Sequence, residues 1–493
     1  MKQYESFGEC LKRTLKEEHM SASEAARLVG FRSRNSIFRI LAGDAGEEVK
    51  QRFLNALYEA VGAQWPPERW LELREALSVD TMGPLRYQAN FAFRKVLHER
   101  AGEPMTFQVY RKSENGLGAV CTMEEVLRGI AASPRAEVVI TGCCDRDLAR
   151  LLVDCCEEAG ENGTLTIRHY VDTHPETVSA NILGILPLVS KTWYNARLLA
   201  PGSCPDQMMD VYRLNAIHVH QWDGLGHPKS AMYLRYDEKN FVVMNQREED
   251  SPFITLLDRW RFQLELLKPT ISLSGGSDIF VEYTRQYALL EEDCAILSIK
   301  PDVHFNCIPV AALETAIADG FAQSGIAMGP ELSALMDELR AVHQQRVRNM
   351  AEKHKVTHLI YSLPAMERFM RTGVLSDQFF LQRPYTVEER RMCIRFLLDT
   401  MREQPYFNVH FLQEDMPPLQ YEISFYDGKG VMLMDAYTGY DLDADHSEAL
   451  ITLPAFMEAF QRYYRDELLA HHVLSRRETI KTLEYLLAIN MQA

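Results

Sequence analysis

The chain has 493 residues, which predicts about three domains at roughly 150 residues each. It is 46% hydrophobic and 25% charged, close to the globular average, which excludes disordered, collagenous and low-complexity classes. With 53 Lys/Arg against 69 Asp/Glu the net charge is −16, which argues against a protein that coats nucleic acid along its whole length.

The first twenty residues include Lys2, Glu5, Glu9, Lys12, Arg13, Lys16, Glu17 and Glu18, so no apolar core of a secretion signal fits there. The longest apolar stretch, Ile182 to Val189, is broken by Pro187 and falls short of the about 20 residues a spanning helix needs. Ten cysteines without a secretion signal read as reduced thiols. These features predict a cytoplasmic protein that makes no use of a membrane.

Phe7, Leu11 and Leu15 recur at spacings of four and predict a helix over 4–18. Ser21 to Glu24 has capping-box spacing, which opens a second helix that ends at Gly30, where a left-handed cap suits glycine. After the turn at Phe31-Arg32-Ser33, a third helix runs from Arg34 to Ala42 and stops at Gly43. Ala25 and Ala26 let two helices cross closely. Val29, Ile37, Ile40 and Leu41 supply a shared core, closed by Phe53, Leu54 and Leu57.

This run, Ser23-Glu24-Ala25-Ala26-Arg27-Leu28-Val29-Gly30-Phe31 followed by Ser36-Ile37-Phe38-Arg39-Ile40-Leu41-Ala42-Gly43, resembles the Cro-type (XRE-like) helix-turn-helix family. The resemblance covers roughly residues 5–62. It departs from the family in an extra turn residue at Arg32-Ser33 and in Phe38, where a small polar residue is usual. It implies double-stranded DNA as partner, a homodimer reading two half-sites, and Ser23, Arg32, Arg34, Asn35, Ser36 and Arg39 as the DNA-binding set. Residues 1–56 hold ten Lys/Arg and eight Asp/Glu, a balance of +2 that leaves −18 for the rest.

Farther along, the vicinal pairs Cys143-Cys144 and Cys155-Cys156 lack zinc-site spacing and read as small core residues. His218, His220, Asp223 and His227 form a loose group, with His218 and His220 on one strand face, but no metal site or other cofactor is expected. Residues 215–240 and 405–430 align without a gap at an offset of 190, matching Val219-His220 to Val409-His410 and Tyr236-Asp237 to Tyr426-Asp427. Each copy reads as strand, loop, strand, turn, strand, with Asp427-Gly428 a hairpin turn. Aromatic helices follow at Leu256 to Leu267 and Phe456 to Leu469.

Two such α/β units resemble the phospholipase-D-like fold, which is built from two halves. That family's chemistry needs His-x-Lys-x4-Asp in each half, with the histidine as nucleophile. Ending the motif at Asp237 puts Ser230 and Met232 at its His and Lys positions; ending it at Asp427 puts Gln420 and Glu422 there. Both halves therefore lack it, and no catalysis of that type is expected. His220 and His410, one from each half, are candidates for a ligand cleft at a pseudo-twofold axis.

The fold class expected is a multidomain α+β protein. Residues 1–65 form an all-α helix-turn-helix domain, 66–120 a helical connector, and 121–270 a first α/β repeat. Residues 271–355 form a helical segment, with a stripe from Leu332 to Met350, and 356–493 the second repeat with C-terminal helices. The function expected is a DNA-binding transcriptional regulator whose body senses a small-molecule or protein effector. A hydrolase or phosphodiesterase-like enzyme, or a partner-binding scaffold, each targeted by the helix-turn-helix, is the alternative.

Overall fold

A computed structural model describes residues 5–31, 34–62, 64–98, 106–113, 116–142, 144–172, 174, 176–189, 191–199, 215–247, 264–266, 271–273, 277–303, 308–325, 329–351, 355–375, 383–413, 421–435 and 446–489. The chain divides into two compact units, Met1–Phe91 and Ala92–Ala493.

The first unit is all-helical: α1 (Phe7–Glu17), α2 (Ala22–Leu28), α3 (Arg34–Leu41), α4 (Glu47–Val61) and α5 (Pro67–Met82). Ser6 and Glu9 cap each other's backbone amides at the start of α1. Ser21 Oγ accepts from the Glu24 amide at 3.2 Å to start α2. Gly30 (φ +78°) and Gly43 (φ +82°) take the left-handed turns that end α2 and α3. Phe7, Leu11, Ala25, Ala26, Ile37, Ile40, Phe53 and Leu57 are buried in one core. The connector from Arg69 to His98 is built of two helices. Helix α5 stops at Gly83 (φ +83°), and α6 (Pro84–His98) restarts on a proline suited to a first turn.

The second unit holds two mixed sheets. The first has the order β2-β1-β8-β7-β6-β3-β4-β5-β9. Its strands are β1 (Gln108–Ser113), β2 (Gly116–Thr122), β3 (Arg135–Gly142), β4 (Leu165–Val171), β5 (Tyr194–Leu199), β6 (Ala216–Trp222), β7 (Pro228–Arg235), β8 (Asn240–Arg247) and β9 (Leu264–Leu266). The second sheet has the order β10-β16-β15-β14-β11-β12-β13. Its strands are β10 (Ile271–Leu273), β11 (Ile296–Lys300), β12 (Thr357–Tyr361), β13 (Phe407–Phe411), β14 (Tyr421–Tyr426), β15 (Gly430–Asp435) and β16 (His446–Ile451).

The two orders repeat. In the first sheet β3, β4 and β5 run parallel, and β6, β7 and β8 form an antiparallel meander on the other side of β3. In the second, β11, β12 and β13 run parallel, and β14, β15 and β16 form the same meander beside β11. Strand β6 therefore corresponds to β14, and β7 to β15.

This corrects the sequence alignment by one strand. The offset of 190 lays β6 on β13, yet β6 is a central antiparallel strand and β13 lies parallel to β12 at the sheet's edge. Segment 271–355 is not purely helical, since β11 lies in it and pairs with both β12 and β14. Nor is 66–120, which supplies β1 and most of β2. The helix expected at Leu256 to Leu267 falls mostly outside the described residues, and Leu264–Leu266 is strand.

One hydrophobic cluster joins the halves. From the first it takes Val138 and Ile140 of β3 with Leu148, Leu152 and Ile182 of the helices Arg146–Glu161 and Val178–Gly184. From the second it takes Ile299, Ile360, Ile423, Phe425, Val431 and Leu433, with Phe456 and Phe460 of helix Pro454–Tyr463. The second half's crossover helices, including Pro330–Ala351 and Val387–Glu403, build a separate cluster on the other face of their sheet. Among the described residues the halves thus meet through non-equivalent faces, and the contact is filled by apolar side chains.

Candidate functional site

The helix α3 repeats about every 3.6 residues, so successive side chains turn by about 100°. Buried Ile37 and Ile40 fix its inner side. Asn35, Phe38, Arg39 and Ala42 are then outermost, and all four are exposed. Ser36 lies on the flank and is half-buried, as is Ser23 in the first turn of α2. Arg32 is outside the described residues, as is the side chain of Arg34. Arg39 donates from Nη2 to the Asp44 carbonyl at 3.1 Å, which holds the guanidinium over the end of α3. Phe38, at 53% exposure, is the largest apolar surface on this face and lies between the polar residues named from sequence. The whole unit Met1–Phe91 carries 13 Lys/Arg and 13 Asp/Glu, so the acidic excess belongs to Ala92–Ala493.

The histidines named from the repeat are not brought together. His220 lies on β6, 6% exposed, with Nδ1 3.0 Å from Ser230 Oγ on β7. His410 lies on β13, where Nε2 is 3.0 Å from His358 Nδ1 on β12 and Nδ1 faces the Leu474 carbonyl at 3.5 Å. The His358 ring also meets Tyr464 edge-on at 5.9 Å. Burial, aided by the neighbouring His410, holds the His358 ring neutral down to about 4. His218, on the same face of β6 as His220, is likewise pushed down to about 4 by burial.

Asp223 and His227 belong to an exposed loop in which Asp223 Oδ1 accepts from the Leu225 and His227 amides. Among the described residues no group of three or more His, Cys, Asp or Glu is arranged to hold a metal ion. Cys144, Cys155 and Cys156 are buried, and burial pushes the Cys156 thiol up to about 12, the behaviour of core residues. Cys143 lies outside the described residues.

Register reveals a row that the sequence reading missed. Ser230 on β7 pairs with His220 on β6, and His220 pairs with Glu137 on β3. Paired residues on adjacent strands point to the same face, so the three lie in line. The Glu137 carboxylate receives Arg135 at 2.6 Å and Arg168 at 3.2 Å. The corresponding row of the second sheet is Val431, Phe425 and Leu297. A hairpin centred on Leu225 places residues equidistant from it opposite each other, so the His220–Ser230 pair could have been read from the turn. Of the second half's two motif positions, Glu422 is buried and ion-paired with Lys300, and Gln420 lies outside the described residues. Among the described residues no helix is long and apolar enough to cross a membrane.

No family model matches the chain, and no curated protein matches it. Among solved structures, the crystal structure of phosphatidylserine synthase from Haemophilus influenzae Rd KW20 is similar at 9% identity, over 82% of this chain and 98% of that one. Its TM-score of 0.24 is too low to carry a conclusion about fold or activity.

Proposed function

We propose that the chain is a sequence-specific DNA-binding transcriptional regulator, with a body that senses an effector or pairs two copies. The observation that carries this reading is the α2–turn–α3 unit. Its helices share buried Ala25, Ala26, Ile37 and Ile40, turn at Gly30, and leave Asn35, Phe38 and Arg39 outward. Asparagine and arginine are side chains that pair with adenine and guanine edges in the major groove. Charge supports the same division of labour. The helical unit is neutral while the rest carries the −16, so an acidic body would stay clear of phosphate. Two copies would read two half-sites, and an effector on the body would alter their spacing.

We infer also that the body is a phospholipase-D-like tandem without His-x-Lys-x4-Asp chemistry. The repeated strand order of its two sheets supports that reading.

Selection of binders from random duplex DNA, followed by a salt titration, tests the function. The expected result is an enriched motif whose affinity falls linearly on a log–log salt plot. Failure to enrich any sequence sinks the proposal.

A further inference from the structure

The row Ser230–His220–Glu137 lies in the second unit, apart from the helices proposed to read DNA. Four observations separate it from ordinary packing. Ser230 Oγ and His220 Nδ1 are 3.0 Å apart, within reach for proton transfer. Both residues are 6% exposed, so the pair is held in a medium where competing water is scarce. Glu137 stands next in register beyond His220 on the same face, with its carboxylate held by Arg135 and Arg168. The fourth observation is the comparison between halves. The same strands, face and register hold Val431, Phe425 and Leu297 in the second sheet, with Val431 and Phe425 buried there. In the second half that face is taken up by the apolar contact between the halves, so the polar row is a feature of the first half alone.

We propose that Ser230 and His220 form a nucleophile–base pair, with Glu137 as a positioning residue, that cleaves an acyl ester carrying a negative charge. Charge identifies the ester class. The face of β3 to β5 that continues this row holds Arg135, Arg168 and Arg197 against the one carboxylate of Glu137, counted among the described residues. An anionic substrate is attracted to such a surface.

The step balances without a further reagent. Ser230 Oγ attacks the ester carbonyl carbon and gives its proton to His220 Nδ1. The C–O bond to the leaving alcohol breaks as the alcohol takes that proton from His220. Water then adds to the acyl-serine, losing a proton to His220, and the carboxylic acid leaves as the proton returns to Ser230 Oγ. This activity is independent of the DNA-binding reading and can fail or succeed without it.

The test treats the full chain with a fluorophosphonate probe and locates the adduct by mass spectrometry. The expected adduct is on Ser230, and Ser230→Ala abolishes it. His220→Gln slows labelling by about 100-fold or more, the usual share of a general base. Ser230→Val and His220→Phe copy the second half's residues, and each should fold with an unchanged far-ultraviolet spectrum while losing the adduct. Glu137→Gln shifts the pH profile of labelling, which a packing role would leave in place. Turnover of mono-p-nitrophenyl succinate should exceed that of p-nitrophenyl acetate in the wild type and vanish in Ser230→Ala. No adduct on Ser230 in the folded wild type, or an adduct formed equally fast in His220→Gln, overturns the pair. Faster turnover of the neutral ester overturns the anionic substrate.

Discussion

His358 and His410 stack across two parallel strands with ring centroids 5.2 Å apart and planes 15° from parallel, joined by one nitrogen–nitrogen hydrogen bond of 3.0 Å. The Leu474 carbonyl beside His410 Nδ1 fixes the proton there, so His410 Nε2 accepts from His358 Nδ1–H. Only a neutral pair satisfies this chain, because a second proton would place two donors face to face.

Acid should therefore unfold the protein through its histidines. Burial lowers His169, His218, His343 and His358 to about 4, and lowers His410 as well. The unfolded chain takes up these protons near 6.5 and the folded chain only at lower pH, near 4 for the first four rings. Stability is then complete above pH 6.5 and is lost as the pH falls from 6.5 towards 4. For a fully buried ring such as His169 or His343 the loss is on the order of 3 kcal/mol. Urea unfolding at pH 7 and pH 4.5 measures it, and His358→Gln should make the decline shallower. A midpoint that holds steady over that range contradicts the assignment.

A second prediction concerns the pair Arg346–Glu291. The guanidinium meets the carboxylate at 2.6 Å and 3.0 Å, with both side chains buried and Tyr287 against the arginine at 5.0 Å. Removing one charge strands the other in a dry site. Glu291→Gln should cost about 3–5 kcal/mol, whereas the double change to Glu291→Leu with Arg346→Met should cost distinctly less. Denaturant titration of the two variants checks the ordering.

Two glycines separate backbone conformation from crowding. At Gly30 (φ +78°) an added Cβ would meet nothing within 4 Å, so Gly30→Ala should cost only the left-handed backbone, about 1–2 kcal/mol. At Gly373 (φ +71°) the same atom would lie 2.1 Å from the Tyr385 carbonyl, whose residue also donates its amide to Gly373 at 2.8 Å. Gly373→Ala should cost more than Gly30→Ala, and equal melting shifts would refute the contact.

If α3 reads bases, Arg39→Ala should weaken binding to the selected DNA site by about 5- to 150-fold, from a contact worth roughly 1–3 kcal/mol. Arg39 is exposed, so the melting temperature should not move. Unchanged affinity in a gel shift would place the contact elsewhere on the unit.

Local signals were legible where local chemistry decides. Ser21 with Glu24 marks a helix start that the structure contains, and Asp427-Gly428 turns between β14 and β15 with Gly428 at φ +73°. That a repeat exists was also readable, but its register was not. Tyr236-Asp237 follows β7 and Tyr426-Asp427 closes β14, two strands that are not counterparts. A turn dipeptide reports only its own hairpin, whereas sheet order depends on pairings between distant segments. Strand β11 escaped for a related reason. Its five residues, Ile296–Lys300, sit between long helical stretches and gain their place only by pairing with β12 and β14. On α3, Asn35 and Arg39 are exposed on the outer face, while Ser36 sits off its crest because 3.6-residue geometry rotates it towards the flank.

The two halves cannot be interchanged, although they share one blueprint. A chimaera carrying a second copy of the first half in the position of the other would drive the counterparts of Ser230 and His220 into the space filled by Val431 and Phe425, beside Phe460. The hydroxyl and imidazole would keep their mutual hydrogen bond, but the remaining polar atoms and the Glu137 carboxylate would be turned against hydrocarbon, a cost of several kcal/mol. Each half is thereby bound to its own place: the first keeps polar side chains on this sheet face, and the second gives the equivalent face to the apolar contact between them.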